Sequence, residues 1–363
     1  MWPFIVAFCC IALSSVVVVS RRRLALDHHD DRRRAMLPFK KDAEYYLRKG
    51  VRVTEKFFFN SRGIEQFTKE WVPANGEASA VVCYCHGYGD QCNYFFDATA
   101  VELAQAGYAV VGVDYEGHGQ SQGLHCYIPK FSVIVEDTRE YFQSVRARPE
   151  FAGKPGFLYG ESMGGAVAIN VSRAEQGKWD GMILVAPMCK IADKIRPPWI
   201  IQELLRRTAF LVPTLPIVPA EDIAENAFKL PEKRAEGKAN PTAFLHKPRL
   251  GTAVQLLLVS EDIEKHLDEV TTPFLLMHGA ADLVTDPEVS KALYERSSSK
   301  DKTFKLYEGM WHALTEGEPS ENVAIVMRDI ITWLSERSGK KAANLSTTGS
   351  EVSDTESAVI DSI

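Results

Sequence analysis

The sequence predicts an α/β fold in which a mostly parallel central sheet is flanked by helices and carries an inserted helical cap. Short apolar runs at residues 80–85 and 108–113 are typical of strands buried on both faces. These runs alternate with helical patterns, and strands joined through helices form right-handed crossovers in a parallel sheet. The alternation stops once, over 85 residues with eight prolines between Pro187 and Pro273. This stretch is too long for a plain loop and predicts the cap.

The first 20 residues predict a membrane anchor. No charged side chain occurs from residue 2 to residue 19, and a helix of that length spans roughly 27 Å, close to a thin hydrocarbon core. Six arginines follow between residues 21 and 34. Positive charge on this flank predicts that the body lies in the cytosol, on the endoplasmic reticulum or another endomembrane. A cleaved signal peptide or an organellar transit segment is the alternative.

The globular body is expected to comprise residues 50–187 and 261–338, after a charged tether at 21–49. Its first two strands, at 51–60 and 66–72, alternate as an antiparallel pair. The remaining predicted elements are strands at 80–85, 108–113, 157–159, 182–186, 274–277 and 304–307, and helices at 94–106, 131–145 and 321–334. Residues 188–260 form the predicted cap, with 253–267 returning to the core layer. The polar tail at 339–363 is expected to be disordered.

Composition excludes several classes of function. The net charge is −6 and charged residues make up 25% of the chain, so there is no basic footprint for nucleic acid. Seven cysteines lack C-x-x-C pairing, which argues against a zinc site or a disulfide scaffold and favours a reducing compartment. His86 and Asp90 have no second cluster of ligands beside them, so neither a metal nor a cofactor is expected.

The stretch at residues 157–166 predicts a sharp turn between a strand and a helix, with a serine at its apex. It contains Gly160-Glu161-Ser162-Met163-Gly164, the G-x-S-x-G pattern of a nucleophile elbow. The two glycines allow the strand and the helix to cross closely and hold the serine in a strained turn. A helix that opens at Ser162 also directs backbone N–H groups at an anion formed beside it.

A nucleophilic serine needs a base, and the base needs an acid to orient it. In folds with this elbow the order along the chain is serine, acid, histidine. Asp282 follows the strand at 274–277 and is the expected acid. Asp286 is the alternative, but the proline after it gives it the pattern of a helix N-cap. His312 follows the strand at 304–307 and is the only histidine after Asp282, so it is the expected base.

Two backbone N–H groups are expected to bind the oxyanion of the reaction. One belongs to Met163, directly after the serine, and the other to Tyr88, in the glycine-containing loop after the strand at 80–85. Each such donor typically contributes roughly 3–4 kcal/mol of transition-state stabilisation. His118, between two glycines, is expected to brace a loop rather than to act as a second base.

The chain resembles the monoacylglycerol lipase family, and most closely its plant-type branch, which includes caffeoyl shikimate esterase. The matching stretches are HGYGD at 86–90, GHGQS at 117–121, GESMGG at 160–165, VAPMC at 185–189, HGAAD at 278–282 and WH at 311–312. The resemblance implies an α/β-hydrolase fold with Ser162, Asp282 and His312 as catalytic triad and Tyr88 and Met163 as oxyanion donors. It also implies a cap that admits one acyl chain, and action on monoacylglycerols or lysophospholipids. Many members have histidine where this chain has Glu161, and residues 1–20 lie outside the shared domain.

The sequence therefore predicts a membrane-anchored serine esterase that cleaves single-chain lipid esters through an acyl-enzyme. An esterase for soluble phenolic esters, a non-hydrolytic receptor for small molecules on the same fold, and an acyltransferase are the alternatives. The apolar stretches at 198–205 and 210–212 have two interpretations: they form the core of the cap, or they line an acyl tunnel or a lid that dips into a membrane.

Overall fold

The computed structural model describes residues 28–189, 198–218, 222–244 and 246–339. The predicted membrane anchor, and the predicted tail apart from Gly339, lie outside the described residues.

An eight-stranded sheet forms the centre of the described chain. Its strands are β1 (Val51–Phe59), β2 (Glu65–Pro73), β3 (Val81–Cys85), β4 (Ala109–Val113), β5 (Gly156–Glu161), β6 (Gly181–Val185), β7 (Phe274–Gly279) and β8 (Lys302–Tyr307). Their order across the sheet is β1-β2-β4-β3-β5-β6-β7-β8. The β1–β2 and β2–β4 pairs are antiparallel, and all other pairs are parallel. The predicted α/β fold with a mostly parallel sheet is confirmed.

Helices cover both faces of this sheet. They are α1 (His29–Met36), α2 (Ala43–Arg48), α3 (Phe96–Gln105), α4 (Phe131–Arg146), α5 (Met163–Ala174), α6 (Trp199–Leu211), α7 (Ile223–Ala227), α8 (Pro231–Ala239), α9 (Leu250–Lys265), α10 (Pro287–Arg296) and α11 (Ser320–Arg337), with 3-10 turns at Leu37–Phe39 and Leu267–Glu269. None of these described helices has both the length and the apolar composition needed to cross a bilayer.

The core has two layers because successive strand residues point to opposite faces of the sheet. In β3, Val81, Cys83 and Cys85 pack with α4 and α5 on one face. Val82 and Tyr84 pack with α3 and α11 on the other. All five side chains are buried, as the unbroken apolar run predicts.

The described part of the expected charged tether is folded, which corrects that prediction. Residues 28–48 contain α1 and α2, and Arg32 of α1 is fully buried. Its guanidinium donates hydrogen bonds to the carbonyl oxygens of Gly119, Ser121 and Gly123 at 2.8, 2.7 and 3.2 Å. Apolar periodicity does not reveal this segment. A charged side chain, Arg32, attaches it to the globular domain through hydrogen bonds to backbone carbonyl groups.

The segment between β6 and β7 contains α6 to α9, as expected for an inserted helical cap. The expected return to the core at residue 261 falls inside α9, which starts at Leu250. Most of the apolar face of α6 is open to solvent: Trp199, Phe210 and Leu211 are 74%, 87% and 76% exposed. Within α6 only Ala209 is buried, and it packs with Leu250 and Val254 of α9 in a small core cluster that Leu205 also contacts. The inner face of α6 thus belongs to the core of the cap, and its outer apolar face is exposed.

Candidate active site

Ser162 lies in a strained turn between β5 and α5. Its φ of 51° and ψ of −119° put a non-glycine residue in a sparsely populated conformation, which costs on the order of 1–3 kcal/mol. Three backbone hydrogen bonds hold it there. The Ser162 N–H donates to the Val185 carbonyl at 3.0 Å, and the Ser162 carbonyl accepts from Gly165 and Met188 at 2.9 and 2.8 Å. The surrounding backbone therefore enforces the predicted elbow.

The glycines of the elbow are required by the close approach of α5 to the sheet. A Cβ atom on Gly164 would lie 1.9 Å from the carbonyl oxygen of Cys85, and one on Gly160 would lie 2.4 Å from the carbonyl oxygen of Gly164. Both partners are backbone atoms with no room to move. Any larger residue at either position would push the helix away from the sheet.

Asp282 and His312 meet at the end of β7 and β8. The Nδ1 atom of His312 lies 2.7 Å from Oδ2 of Asp282. Oδ1 of the same carboxylate accepts hydrogen bonds from the Val284 and Thr285 N–H groups at 2.7 and 3.0 Å. Burial would raise the pKa of Asp282, but His312 and the hydrogen bond from His278 hold that pKa far below its usual value. Asp282 is therefore a carboxylate at any pH at which the enzyme would work.

Asp286, the alternative acid, is used elsewhere. Its carboxylate accepts a hydrogen bond from the Glu288 N–H at 3.0 Å and caps α10 at its N-terminus. Pro287 occupies the first helical position, where its missing N–H costs nothing. The structure thus brings Asp282 to His312 and leaves Asp286 as a helix cap, as its sequence pattern indicates.

The loop after β3 holds the Gly87–Tyr88 peptide in a fixed orientation beside Ser162. Nε2 of His86 accepts from the Tyr115 N–H at 3.1 Å, so Nδ1 carries the proton and donates to the Gly87 carbonyl at 2.8 Å. The Gly87 carbonyl and the Tyr88 N–H belong to one planar trans peptide and point in opposite directions. Fixing the carbonyl therefore fixes the N–H. A Cβ on Gly87 would lie 3.7 Å from that of Ser162, so this peptide lies beside the serine.

Burial lowers the pKa of His86 well below its usual value, which keeps the ring neutral as this hydrogen-bond pattern requires. The second expected donor, Met163, is the first residue of α5 and is buried.

Ser162 and His312 line one cavity of about 480 Å³. Its wall combines apolar residues with polar ones and includes Tyr88, Asp90, Phe95, Glu161, Val185, Ile223, Phe228, Phe244, Leu314, Thr315 and Glu316. In the described part of the chain the Ser162 hydroxyl has no hydrogen-bond partner. Enzymes without substrate often lack the serine–histidine hydrogen bond, which tightens when substrate binds.

Three carboxyl groups, of Asp90, Glu161 and Glu316, share this cavity wall. Burial raises the pKa of Asp90 to about 8. Burial also raises the pKa of Glu161 and, together with the nearby charge of Glu161, that of Glu316. Oε1 of Glu316 is buried without a hydrogen-bond partner among the described residues. All three groups therefore ionise at a higher pH than exposed carboxyl groups do, and a pKa of about 8 keeps Asp90 protonated at neutral pH.

Of these three carboxyl groups, that of Glu161 accepts the most hydrogen bonds from side chains. Its carboxyl accepts hydrogen bonds from the hydroxyl groups of Tyr84, Tyr159 and Thr315, each at 3.0 Å. Sequence reasoning noted Glu161 only as a departure from related sequences, and it gave Glu316 no role. The available signal was a carboxylate at the end of a buried strand, which requires partners.

His118 and the possible metal ligands lie outside the arrangement of Ser162, Asp282 and His312. His118 is buried, its Nδ1 lies 3.1 Å from the Glu116 carbonyl oxygen, and its ring packs against those of His86 and Tyr115. It braces the loop, as expected. Among the described residues, metal-ligating side chains come close enough to share an ion only at His28, His29 and Asp30, which do not line the cavity.

Comparison with known proteins gives consistent matches. A family model described as serine aminopeptidase, S33 matches residues 76–320. The chain is 35% identical to caffeoylshikimate esterase of Arabidopsis thaliana, over 82% of this chain and 89% of that protein. It is 30% identical to monoglyceride lipase of Homo sapiens, over 77% and 89%. A crystal structure of a soluble variant of monoglyceride lipase from Saccharomyces cerevisiae has the same fold, with a TM-score of 0.68 at 21% identity over 78% and 94% of the two chains.

Proposed function

Because the chain belongs to the serine aminopeptidase S33 family of hydrolases, we propose that it is a serine hydrolase that cleaves carboxylic esters of single-chain lipids, first of all monoacylglycerols. Ser162, Asp282 and His312 are its catalytic triad, and Tyr88 and Met163 its oxyanion donors. The observation that carries this proposal is the cavity that Ser162 shares with His312, whose far ring nitrogen is held by Asp282.

The reaction follows from the protons in this arrangement. Asp282 accepts a hydrogen bond from the Nδ1–H of His312, so the proton stays on Nδ1 and Nε2 keeps a lone pair. Ser162 Oγ attacks the ester carbon while Nε2 takes its proton, and the Tyr88 and Met163 N–H groups stabilise the oxyanion. Collapse of this intermediate breaks the ester C–O bond, and His312 returns the proton to the leaving alcohol. Water then attacks the acyl-enzyme in the same way and releases the carboxylic acid and free Ser162.

The residues that line the cavity favour a leaving group that is an uncharged alcohol with further hydroxyl groups. Protonated and ionised carboxyl groups can both bind hydroxyls, as donors or as acceptors. A buried anionic headgroup needs a cation to offset its lost hydration, and among the described residues Lys238 and Lys247 line the cavity only as exposed side chains. This favours glycerol over the phosphate of a lysophospholipid or a carboxylate.

An esterase of phenolic esters is the second candidate. The 35% identity with caffeoylshikimate esterase favours it. The two candidates differ in charge, because the shikimate part of caffeoyl shikimate carries a carboxylate and glycerol does not. A wall whose described residues include carboxyl groups and no buried cation therefore predicts that an uncharged caffeoyl ester would be cleaved better than caffeoyl shikimate.

A fluorophosphonate probe tests the nucleophile. We expect the wild type and the control Ser144→Ala to be labelled, with the adduct mapped to Ser162 by mass spectrometry, and Ser162→Ala to remain unlabelled. Ser144 is a suitable control because its hydroxyl only bonds a carbonyl within α4. Labelling of Ser162→Ala would assign the nucleophile to another residue. A wild type that resists the probe and cleaves no ester but still binds esters would indicate a non-hydrolytic receptor.

A substrate panel tests the specificity. It contains monoacylglycerol, lysophosphatidylcholine, caffeoyl shikimate, methyl caffeate and an aminoacyl nitroanilide, the last because the family description names an aminopeptidase. We expect monoacylglycerol to give the highest kcat/KM. The anionic esters should lose further relative to monoacylglycerol as the pH rises and the wall carboxyls ionise, and Glu316→Gln, which removes one of these carboxyls without changing its shape, should weaken that pH dependence. A preference of the wild type for caffeoyl shikimate would overturn the lipid assignment.

A membrane surface is the proposed source of the substrate. The exposed Trp199, Phe210 and Leu211 of α6 support an interfacial contact, and the apolar residues 1–20 support an anchor with the body in the cytosol. With residues 1–20 removed, so that the proposed anchor does not mask the contact of α6, sedimentation with phosphatidylcholine vesicles should be reduced in Phe210→Asp. Recovery of the full-length chain in the soluble fraction after carbonate extraction would refute the proposal that residues 1–20 are a membrane anchor.

A further inference from the structure

His278, the next-to-last residue of β7, contacts the carboxylate that holds His312. Its side chain is fully buried, and its Nε2 lies 3.0 Å from Oδ2 of Asp282. The same oxygen receives Nδ1 of His312 at 2.7 Å. One carboxylate oxygen is thus shared by two histidine rings, and the proposed mechanism uses only one of them.

The second nitrogen of His278 indicates which of its atoms carries the proton. Nδ1 lies 2.7 Å from the hydroxyl oxygen of Ser290 in α10, and that hydroxyl can donate to it. Nε2 faces acceptors, the Asp282 carboxylate and the Thr285 carbonyl oxygen at 3.2 Å, so it is the protonated nitrogen. The Ser290 hydroxyl therefore selects the tautomer of His278 that donates to Asp282.

Resting on the proposed function, we propose that His278 is a positioning residue: its Nε2–H, directed by Ser290, holds Oδ2 of Asp282 against His312 and moderates the charge that His312 experiences. Two donors on one oxygen share its negative charge. Without His278 the carboxylate would bind the protonated His312 ring more tightly, although less precisely oriented. The Thr285 hydroxyl, 2.9 Å from Oδ2 and 3.2 Å from Nδ1 of His312, belongs to the same network.

The charges around His312 give the direction of the effect. His312 interacts electrostatically with both Asp282 and Glu161, and Asp282 interacts also with His278. Removal of the His278 donor leaves both carboxyl groups in place. The proton on His312 is then held more strongly, so the acid limb of the rate profile moves to higher pH.

The test compares His278→Leu, which removes the donor, with His278→Gln, which keeps a neutral N–H donor. We expect His278→Leu to lower kcat about tenfold to hundredfold, with KM little changed, and to move the acid limb of kcat/KM up by about half a pH unit or more. His278→Gln should recover most of kcat. Ser290→Ala should give an intermediate loss, and Ser299→Ala, whose hydroxyl bonds a carbonyl before β8, should match the wild type.

A second measurement does not depend on turnover. Side-chain NMR of His312 in the full-length protein should show a higher pKa in His278→Leu than in the wild type. Equal losses in the Leu and Gln variants, or an unchanged His312 pKa and rate profile in a folded His278→Leu, would overturn the role of His278. A wild type that labels with no fluorophosphonate and cleaves no ester would instead refute the proposed function, and the NMR titration would still decide about His278.

Discussion

Replacement of Asp282 by asparagine tests the proton arrangement of the site most directly. Oδ1 accepts two backbone N–H groups, and Oδ2 faces Nδ1 of His312. An amide has a single acceptor oxygen. If that oxygen keeps the two backbone bonds, its NH₂ group faces His312, which must then place its own proton on Nε2. The base would thereby lose the lone pair that takes the proton of Ser162.

The opposite orientation of the amide is disfavoured. It would turn NH₂ towards the Val284 and Thr285 N–H groups, and each of these partly buried donors would lose its acceptor, at a cost of up to about 1–3 kcal/mol. The asparagine therefore preserves the loop and loses the base. We expect kcat to fall about 10⁴-fold, the loss typical of a wrong tautomer in such a triad, while the melting temperature changes little.

The assay is the burst and steady-state release of p-nitrophenol from a short-chain ester, with Asp286→Asn as matched control. Asp286 caps α10, and asparagine caps a helix about as well as aspartate, so this variant should retain activity. If Asp282→Asn were active and Asp286→Asn inactive, Asp286 and not Asp282 would be the acid of the triad, and the argument from the His312 tautomer would be refuted.

The packing around the site yields three further expectations. Gly164→Ala places a methyl group 1.9 Å from the Cys85 carbonyl oxygen, so the variant should lose ester hydrolysis and unfold at a lower urea concentration. The control Gly177→Asn should match the wild type, because Gly177 lies in an open turn with positive φ, which asparagine tolerates. Lys69→Met removes the buried cation beside Asp97 and should cost about 3 kcal/mol in urea titrations, the lower end for a buried pair because a second lysine still contacts Asp97. Burial would raise the pKa of Asp97, but Lys69 and Lys41 lower it. The ionised Asp97 therefore adds to the free energy of unfolding above pH ~4, and this contribution is lost as the pH falls further. In Asp97→Asn, the free energy of unfolding should depend less on pH in the acid range.

The arrangement of the strands could be predicted because it depends on local patterns. Apolar runs such as 80–85 and 274–277 mark buried strands, and a residue after a parallel strand lies at a known edge of the sheet. Asp282 and His312 follow two such strands, so their meeting could be expected before any coordinates. The roles proposed for Ser162, Asp282 and His312 remain predictions until the variants are measured.

The folded segment around Arg32 could not be predicted in this way. Its anchoring depends on three carbonyl oxygens that point outward from a loop almost 90 residues later. Nothing in the local sequence of α1 indicates that such acceptors exist. Long-range hydrogen bonds between a side chain and an irregular backbone leave no periodic trace.

His278 and Glu161 lie between these two cases. Each is a polar residue at the carboxyl end of a buried strand, β7 or β5, whose preceding residues are apolar or glycine. A buried polar group without a partner costs about 1–3 kcal/mol, so a sequence that keeps one there implies partners at the same sheet edge as Ser162. This argument predicts that each residue has partners but not which ones. The structure supplies the partners, Asp282 and Ser290 for His278 and three hydroxyl groups for Glu161, and these connect both residues to the chemistry of the site.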